Sequence, residues 1–567
     1  MRALLPCLML LACTPDDDAP FCADGIDIDG DGVCDRETAD WSAEARVEPG
    51  SHRGNIYNLP EDRLREVQNA GYQHTYVWPV DVSGLLLPYR PLEAFFSEEA
   101  ASGGGLASAA RNVFGFGTLP EMYDWLGLAP FPPPDAEGIY ALQPPPGMSP
   151  GDPAGVGVIS RPEGDALTFS CATCHTAELF GKTVMGLTNR RARANEFFHL
   201  ATRFFPGIDP DLFASITNAT DGELDLFERT QRNLPAAGAK PPEALGLDTS
   251  LAQVALSLSR REPDAWATRS PTYERDPRPN ALQSFVADSK PAVWWTMKYK
   301  TRWLSDASIR TGNPVFTNFL WNELGRATDL HELEAWLRDN GEVIDELTVA
   351  VFATEAPRWV DFFGEDSLDL PAAQRGEALF NDHCASCHGT YEKDWSSSDP
   401  SRTTRVVYHE RTPVYDVGTD PQRAEGMQHF FDGLNRLAIS EWMDTLVEVQ
   451  PGYVPPPLDG IWARYPYLHN HSVPTLCHLL SPEDERPESF WMGPSNDPAT
   501  DFTADCVGYP TGDAIPEPWK EVPDAFFDTT TPGLSNQGHA DFLTDASGDW
   551  VLDEGDRADL IAFLKTL

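Results

Sequence analysis

Apolar residues recur at helical spacing near the middle of the chain. Leu330, Leu333 and Leu337 lie three and four positions apart and therefore share one face of a helix. Asp329 precedes them and is suited to cap the helix N-terminus, while Gly341 follows and is suited to end the helix. The pattern predicts a helix from Asp329 to a stop near Gly341, which would close the first half of the chain.

The second half of the chain contains two more amphipathic stretches. Residues 370–380 start with a leucine and a proline that suit a first helical turn, and their apolar residues lie three and four apart. Residues 557–567, which end the chain, are apolar at the same spacing and carry a late lysine that suits the helix dipole. Both stretches are predicted to be helices.

Residues 41–357 are rich in proline, glycine and aromatic residues, which predicts long irregular segments between helices. The chain has 567 residues. Single cores usually stop growing near roughly 250–300 residues, so two main domains are expected. The pattern as a whole predicts a mainly α fold with long irregular loops and little β structure.

Residues 1–12 carry one arginine followed by an almost wholly apolar run that ends just before Cys13. The run is shorter than the ~20 apolar residues that a membrane span needs, so it predicts an export signal. Its ending resembles a bacterial lipoprotein box, which implies that Cys13 is the lipidated first residue of the mature protein. We therefore expect an exported lipoprotein of a bacterium, periplasmic or at the outer membrane or cell surface, that meets the membrane only through its lipid.

The chain carries 42 Lys+Arg against 88 Asp+Glu, a formal net charge of -46. A surface of this charge repels phosphate backbones and anionic headgroups, which argues against nucleic acid as a partner. The charge would favour a basic partner, such as a small redox carrier or electron donor, or a cationic surface. Solubility alone explains the charge equally well.

An acidic segment, residues 13–40, follows the predicted signal and is interpreted as a tether. Carboxylates on alternate residues with glycines at the bends can wrap oxygen ligands around a calcium ion. The EF-hand pattern fails because its twelfth position is Thr38, and the run is more similar to the short calcium loops of thrombospondin type 3 repeats. The alternative is a solvated acidic linker. The candidate calcium ligands are Asp27, Asp29, Asp31 and Asp35.

Two copies of a Cys-X-X-Cys-His pattern carry the clearest chemistry. Two thiols three positions apart can add to the two vinyl groups of one haem, and the adjacent histidine can bind its iron. A zinc or thioredoxin-like site would need another Cys/His pair or a βαβ context, and neither is visible. The sequence therefore predicts two covalently bound haem c groups, at Cys171, Cys174 and His175 and at Cys384, Cys387 and His388.

These motifs complete the predicted organisation of the chain. It consists of a signal at 1–12, a tether at 13–40, an N-terminal haem domain at 41–360 and a C-terminal cytochrome c domain at 361–567. Of the ten cysteines, Cys7 would leave with the signal. After the lipid and haem attachment sites are assigned, Cys22/Cys34 and Cys477/Cys506 remain as two local pairs, either disulfides in an oxidising compartment or free thiols.

A family resemblance is carried by residues 417–421, 458–470, 472–476 and 486–487. These segments resemble the second haem domain of the bacterial dihaem cytochrome c peroxidase and MauG superfamily, and most closely its rubber oxygenase branch. The helices predicted before the second haem motif and at the C-terminus are similar to those that frame the haem in class I cytochromes c. The resemblance implies two cytochrome c-like haem domains.

The same resemblance implies different ligand sets for the two haems. It implies that the haem at His175 lacks a sixth ligand from the protein and binds dioxygen. It also implies that the haem at His388 is closed by a histidine shortly before the C-terminal helix, which here is His539. His469 and His471 are the competing ligands, and we interpret His469 as a residue that orients the haem surroundings.

A tryptophan-rich segment, residues 291–303, resembles the segment that supplies a tryptophan at the first haem's pocket. An indole there can relay an electron or stabilise a radical. Trp295 is the candidate residue for this catalytic role. The alternative is ordinary core packing, which is common for clustered tryptophans.

Three functions are compatible with these observations. The first is a dihaem oxidoreductase of the peroxidase or oxygenase type, which activates peroxide or dioxygen at the His175 haem and exchanges electrons through the His388 haem. The second is a dioxygenase that cleaves a polyisoprenoid-like hydrocarbon as its organic substrate. The third is a pure electron-transfer cytochrome in which both haems are six-coordinate. Function depends on the sixth ligands, which covalent attachment does not fix.

Overall fold

The computed structural model describes residues 21–22, 25–26, 36–37, 39–99, 115–545 and 547–567. The predicted signal, Cys13 and the candidate calcium ligands Asp27, Asp29, Asp31 and Asp35 lie outside the described residues. So does Cys34 of the candidate pair Cys22/Cys34.

Helices make up most of the regular structure. In chain order they are α1 Glu61–Tyr76, α2 Tyr89–Phe95, α3 Leu119–Trp125, α4 Ala172–His175, α5 Ala194–Phe204, α6 Pro210–Thr217, α7 Asp221–Asn233, α8 Ser250–Ser259, α9 Pro271–Arg275, α10 Pro314–Gly325, α11 Leu330–Asp339, α12 Glu342–Phe352, α13 Val360–Phe363, α14 Leu370–His383, α15 Ala385–His388, α16 Gln422–Gly426, α17 Phe431–Asn435, α18 Ala438–Trp442, α19 Leu476–Leu479 and α20 Glu554–Leu564. Short 3₁₀ helices lie between them, including one at Trp294–Tyr299.

The strands are short and form antiparallel ladders of two or three strands. They are β1 Phe21–Cys22, β2 Gly25–Ile26, β3 Arg36–Glu37, β4 Leu87–Pro88, β5 Val156–Ile159, β6 Ala166–Phe169, β7 Thr176–Leu179, β8 Lys182–Met185, β9 Ile309–Thr311, β10 Thr390–Lys393, β11 Thr403–Val407, β12 Leu446–Val447, β13 Ser489–Trp491 and β14 Phe526–Asp528. The order β4-β6-β5 and the hairpin β7-β8 lie on either side of the first Cys-X-X-Cys-His motif. A mainly α fold with little β structure is thus confirmed.

The helix predicted near the middle of the chain is confirmed as α11. Asp329 caps it by accepting hydrogen bonds from the backbone N–H groups of His331 and Glu332, at 2.9 and 3.2 Å. Leu330 and Leu333 on its apolar face are fully buried, as the spacing predicts. Capping and burial of one face together explain why this sequence forms a helix here.

The two helices predicted in the second half are α14 and α20, and they cross each other. Gly376 of α14 lies at the crossing, where an added Cβ would stand 2.0 Å from the backbone oxygen of Asp559 in α20. Phe380 packs against Phe563 beside this point, with ring centroids 5.2 Å apart. Only glycine allows the two backbones to approach so closely. The crossing fixes α14 directly before the second haem motif.

The hydrophobic cores do not divide at the predicted domain boundary of residues 360 and 361. Phe430, from the second half, packs in the core of the first half, where its ring lies 4.8 Å from that of Trp321. Leu179 and Val184, from the first half, pack in the core of the second half together with Tyr465. The boundary itself stays a prediction.

None of the helices described is long and apolar enough to cross a membrane.

Candidate functional site

The first Cys-X-X-Cys-His motif lies where strand β6 ends and the single-turn helix α4 begins. The hydroxyl of Thr173 donates a hydrogen bond at 2.5 Å to the carbonyl of Gly155, which directly precedes β5, and this bond holds the turn against the start of that strand. The turn places the Cys171 and Cys174 thiols next to each other, and both are free. They have the spacing that attachment of one haem requires.

His175 completes the motif. Its Nδ1 lies 2.9 Å from the carbonyl oxygen of Ala292. A carbonyl only accepts hydrogen bonds, so Nδ1 carries the proton and Nε2 keeps its lone pair. Burial lowers the pKa of His175 to about 4, so the ring is neutral at physiological pH. A neutral imidazole oriented through its other nitrogen is the arrangement found in metal-binding histidines.

The second motif repeats this arrangement at the end of α14. His388 Nδ1 lies 2.8 Å from the carbonyl oxygen of Pro456, which again leaves Nε2 free. Burial lowers the pKa of His388 to about 4. The thiols of Cys384 and Cys387 are free. The two motifs therefore present the same donor set.

The environment of the thiols argues against a thioredoxin-like redox motif. Burial raises the pKa of Cys171 to about 11 and that of Cys384 to about 12. Redox-active Cys-X-X-Cys motifs instead lower the thiol pKa to make the thiolate. In the part of the chain described, no group of three or more His, Cys, Asp or Glu side chains is arranged to hold a metal ion.

Each motif opens into its own large cavity. The first cavity is lined by Cys171, Cys174 and His175, together with aromatic and aliphatic side chains. The second cavity is lined by Cys384, Cys387 and His388 and by many leucines. Apolar walls around a pair of thiols and a neutral imidazole fit the macrocycle of a haem c, whose faces are apolar and whose iron needs a nitrogen ligand.

The two cavities differ in what stands near the histidine of each motif. In the first, His175 is the one histidine and Met297 the one methionine among the described lining residues. In the second, His539 lies across from His388, with ring centroids 6.2 Å apart. A metal–imidazole bond is about 2 Å long, so two imidazoles that hold one metal from opposite sides have ring centres roughly 6 Å apart. The second cavity thus fits a six-coordinate iron.

The backbone brings His539 into this position by an unusual path. His539 has a φ of 68° and the preceding Gly538 a φ of 88°. A Cβ on Gly538 would stand 2.2 Å from the backbone nitrogen of Thr419, so only glycine fits. Nδ1 of His539 is buried and has no hydrogen-bond partner among the described residues, and burial lowers its pKa to about 3. The ring is therefore neutral and available as a ligand.

The competing histidines are placed differently. His469 lines the second cavity, but its ring stacks on Tyr453 at 4.0 Å, and the structure gives it no ring contact with His388. His471 is fully buried and lines neither cavity. The structure thus brings His539 opposite His388. The role of His539 as a ligand stays a prediction.

The structure brings Trp294, and not Trp295, to the first cavity. The Trp294 ring lies 5.2 Å from the ring of His175. Trp295 is buried in the core of the second half, lines neither cavity and donates a hydrogen bond to the carbonyl of Asp459 at 2.8 Å. Neighbouring residues of a 3₁₀ helix point about a third of a turn apart. The sequence missed Trp294 because the pair of tryptophans carries no signal of which one faces the cavity.

A disulfide supports the second cavity. The sequence left Cys477 and Cys506 open between a disulfide and free thiols, and the structure joins them. Cys477 lies in α19, next to Leu476 and near Leu479, and both of these leucines line the second cavity. The cross-link therefore holds part of the cavity wall to the loop around residue 506.

Comparison with known proteins finds one family model and two related proteins. Residues 452–492 match the model described as RoxA-like, cytochrome c-like. The uncharacterized protein y4iJ of Sinorhizobium fredii (strain NBRC 101917 / NGR234) is 32% identical over 260 residues, which is 37% of this chain and 41% of the relative. The uncharacterized protein y4iM of the same strain is 34% identical over 181 residues, 26% of this chain and 35% of the relative. The chain thus spans less than half the length of the curated relatives that it matches.

The matched range contains much of the second cavity's wall. Arg464, Tyr467, Leu468 and His469 all lie within it and line the cavity. A cytochrome c-like domain implies haem c as its cofactor. Residues 452–492 are thus similar to a RoxA-like, cytochrome c-like domain, and this similarity indicates haem-based electron transfer or oxidoreduction.

Proposed function

We propose that the protein is an exported dihaem c-type oxidoreductase. The first site would take dioxygen or peroxide as oxidant, and the second would exchange electrons with a small redox carrier. The proposal assigns Cys171, Cys174 and His175 to one haem and Cys384, Cys387, His388 and His539 to the other. The observation that carries it is the contrast between one histidine in the first cavity and two facing histidines in the second.

The residues of the first site orient one ligand and exclude water. The hydrogen bond from His175 Nδ1 to the Ala292 carbonyl fixes the ring and keeps Nε2 directed away from the backbone. Trp294 covers one side of this ring, and Phe319 and Leu347 add apolar wall. A haem iron with an open sixth position binds dioxygen or peroxide, whereas one held by two imidazoles passes electrons.

The residues of the second site hold two neutral imidazoles. His388 is fixed by the Pro456 carbonyl, and His539 is fixed by its own backbone N–H, which donates to the carbonyl of Val417 at 2.7 Å. Two ligands held by separate segments of the chain, a helix and a loop, keep their geometry through a change of charge at the metal, which favours rapid electron exchange.

The wall between the cavities supports exchange between the two sites. Residues 292–305 contribute to both linings, and Ala292, Leu304 and Ser305 contact both cavities. The same backbone carbonyl that orients His175 belongs to this wall. One segment of the chain therefore lines both sites.

Two observations favour the alternative functions, a pure electron-transfer cytochrome and a dioxygenase that cleaves a hydrocarbon. Met297 lines the first cavity. A methionine thioether is a haem ligand in many electron-transfer cytochromes, so this residue favours a pure electron-transfer cytochrome. The aromatic and aliphatic lining of the first cavity favours an apolar organic substrate, such as a hydrocarbon cleaved by dioxygen.

We further propose that the protein is held to a bacterial membrane through lipid on Cys13. The support is the short apolar run of residues 1–12 that ends before this cysteine.

Carbon monoxide binding tests the assignment of the two sites. The haem c content is first counted after denaturation in pyridine, where we expect two per chain. The reduced native protein should then bind one carbon monoxide per chain, because only the first site has an open position. Binding of none would favour the pure carrier, and binding of two would show that the second site is also open.

One variant sharpens this titration. Met297→Leu should still bind one carbon monoxide, since the thioether is not a ligand in this account. If the wild type binds none and Met297→Leu binds one, the first site is closed by Met297 and the oxidoreductase proposal is wrong.

A further inference from the structure

The wall between the two cavities contains two lysines. Lys290 and Lys300 each line both the first and the second cavity. Lys300 is buried, with 7% of its surface exposed, and Lys290 is partly buried. Long charged side chains rarely lie inside a protein unless an anion or a hydrogen-bonding network receives them. The hydrogen-bond and ion-pair partners of the two lysines therefore indicate whether a ligand is expected beside them.

The hydrogen bonds of these lysines do not provide a negatively charged partner for their ammonium groups. Lys290 Nζ donates to the carbonyls of Pro466 and Arg464, at 3.0 and 3.3 Å. Lys300 Nζ donates to no described residue. A third cation, Arg464, lines the second cavity and donates through one Nη to the carbonyl of Pro457 at 2.7 Å. Carbonyls are neutral, so none of these bonds neutralises a charge.

No carboxylate among the residues described lies within 4.0 Å of these three cations, and the Asp459 carboxylate acts on Arg464 from beyond that distance. Burial, together with the nearby charge of Arg464, lowers the pKa of Lys300 to about 7 and that of Lys290 well below its usual value. The chain has 88 acidic residues, so carboxylates are not scarce. Three clustered cations without an ion-paired carboxylate in such an acidic protein indicate that the missing anion comes from a ligand.

The chemistry of a haem supplies anions of this kind. Its two vinyl groups are used by the cysteine thiols, and its remaining polar substituents are two propionate carboxylates. These carboxylates need cationic or hydrogen-bonding partners when they are buried. The second observation, that both lysines line both cavities, puts the cations where the two haem sites adjoin.

We propose that Lys290, Lys300 and Arg464 bind haem propionate carboxylates at the junction of the two cavities. This inference rests on the proposed function, because it requires haem at these motifs. The three side chains are positioning and tuning residues, since they contact the edge of the cofactor and not its iron. Their positive charge stabilises an added electron nearby, so it should raise the midpoint potential of the adjoining haems.

The experiment is a spectroelectrochemical titration of the intact dihaem protein and of Lys300→Met. With both haems present, Lys300→Met should lower the midpoint potential of at least one haem, because a propionate loses its cation. Lys300→Arg keeps the charge and should keep the potential close to that of the wild type. Lys298→Met is the matched control, because Lys298 lies two residues away, donates to the Thr354 carbonyl at 3.1 Å and lines neither cavity.

The outcomes separate this inference from the function on which it rests. If pyridine analysis finds no haem in the wild type, the proposed function fails. If Lys300→Met and Lys290→Met both retain two haems and both potentials, the lysines do not bind propionates and the inference is wrong. A wild-type potential that shifts with added acetate or phosphate, with the shift lost in Lys300→Met, would identify a diffusible anion and also overturn it.

Discussion

Replacing Gly376 with alanine should open the crossing of helices α14 and α20. The added Cβ would stand 2.0 Å from the Asp559 oxygen, 2.5 Å from the Asp559 carbonyl carbon and 2.9 Å from Cβ of Phe563. Ordinary contacts between such atoms are about 3.5 Å, so the helices must part by roughly 1.5 Å. The closest contact is backbone, which cannot move away by changing a rotamer.

The cost follows from this geometry. Overpacking of a tight contact costs about 1–3 kcal/mol, and a clash with backbone belongs at the upper end of this range. Alanine recovers about 0.5–1 kcal/mol of helix propensity, which leaves a net loss of roughly 2–2.5 kcal/mol. For a domain of about 200 residues this lowers the Tm by roughly 5–10 °C.

Thermal unfolding followed by circular dichroism in the Soret region measures this change. Gly555→Ala is the matched control, because Gly555 lies in α20 and its added Cβ would meet only the Asp553 carboxylate, at 3.2 Å. The control should be unchanged or more stable by up to about 1 kcal/mol. A Tm of Gly376→Ala equal to that of the wild type would refute the close crossing of the two helices.

Three further predictions concern the proposed iron ligand His539, the buried carboxyl group of Asp288 and the proposed lipid anchor at Cys13. His539→Ala should convert the second haem from six-coordinate low spin to a weaker-field state, and added imidazole should restore the visible spectrum. If the spectrum of His539→Ala is unchanged and the same loss appears in His469→Ala, the sixth ligand is His469 and not His539. Burial raises the pKa of Asp288 to about 7 from 3.8, so its proton stabilises the fold and stability falls as pH rises through this window. Asp288→Asn should therefore flatten the fall in Tm between about pH 4 and 7, the two pKa values, and an unaltered slope would show that Asp288 is not protonated. Cys13→Ser should leave the membrane fraction and appear in the soluble fraction, whereas continued sedimentation with membranes would contradict the lipid anchor.

Local patterns were sufficient to predict the helices that matter most. The helix α11, and the pair α14 and α20, follow from apolar spacing and capping residues, which act over a few positions. The Cys-X-X-Cys-His motifs are equally local, because the thiols and the histidine lie on one turn. The Cys477–Cys506 disulfide links positions 29 residues apart and was one of two alternatives.

Features that depend on distant contacts could not be predicted in the same way. Which of Trp294 and Trp295 faces the first cavity depends on how the 3₁₀ helix packs between two cores. Phe430 of the second half packs against Trp321 in the core of the first half, more than a hundred positions away in the sequence. The periodicity of apolar residues cannot predict such a distant contact. The burial of Lys300 is also hidden, because a lysine in a sequence is normally expected at the surface.

Electron paramagnetic resonance of the fully oxidised protein tests the central claim most directly. The claim is that the first haem site offers one protein ligand, His175, and the second offers two, His388 and His539. The account predicts one high-spin and one low-spin ferric signal that integrate to equal amounts per chain. Two low-spin signals would mean that both irons are closed, as in a pure electron carrier, and would contradict the account.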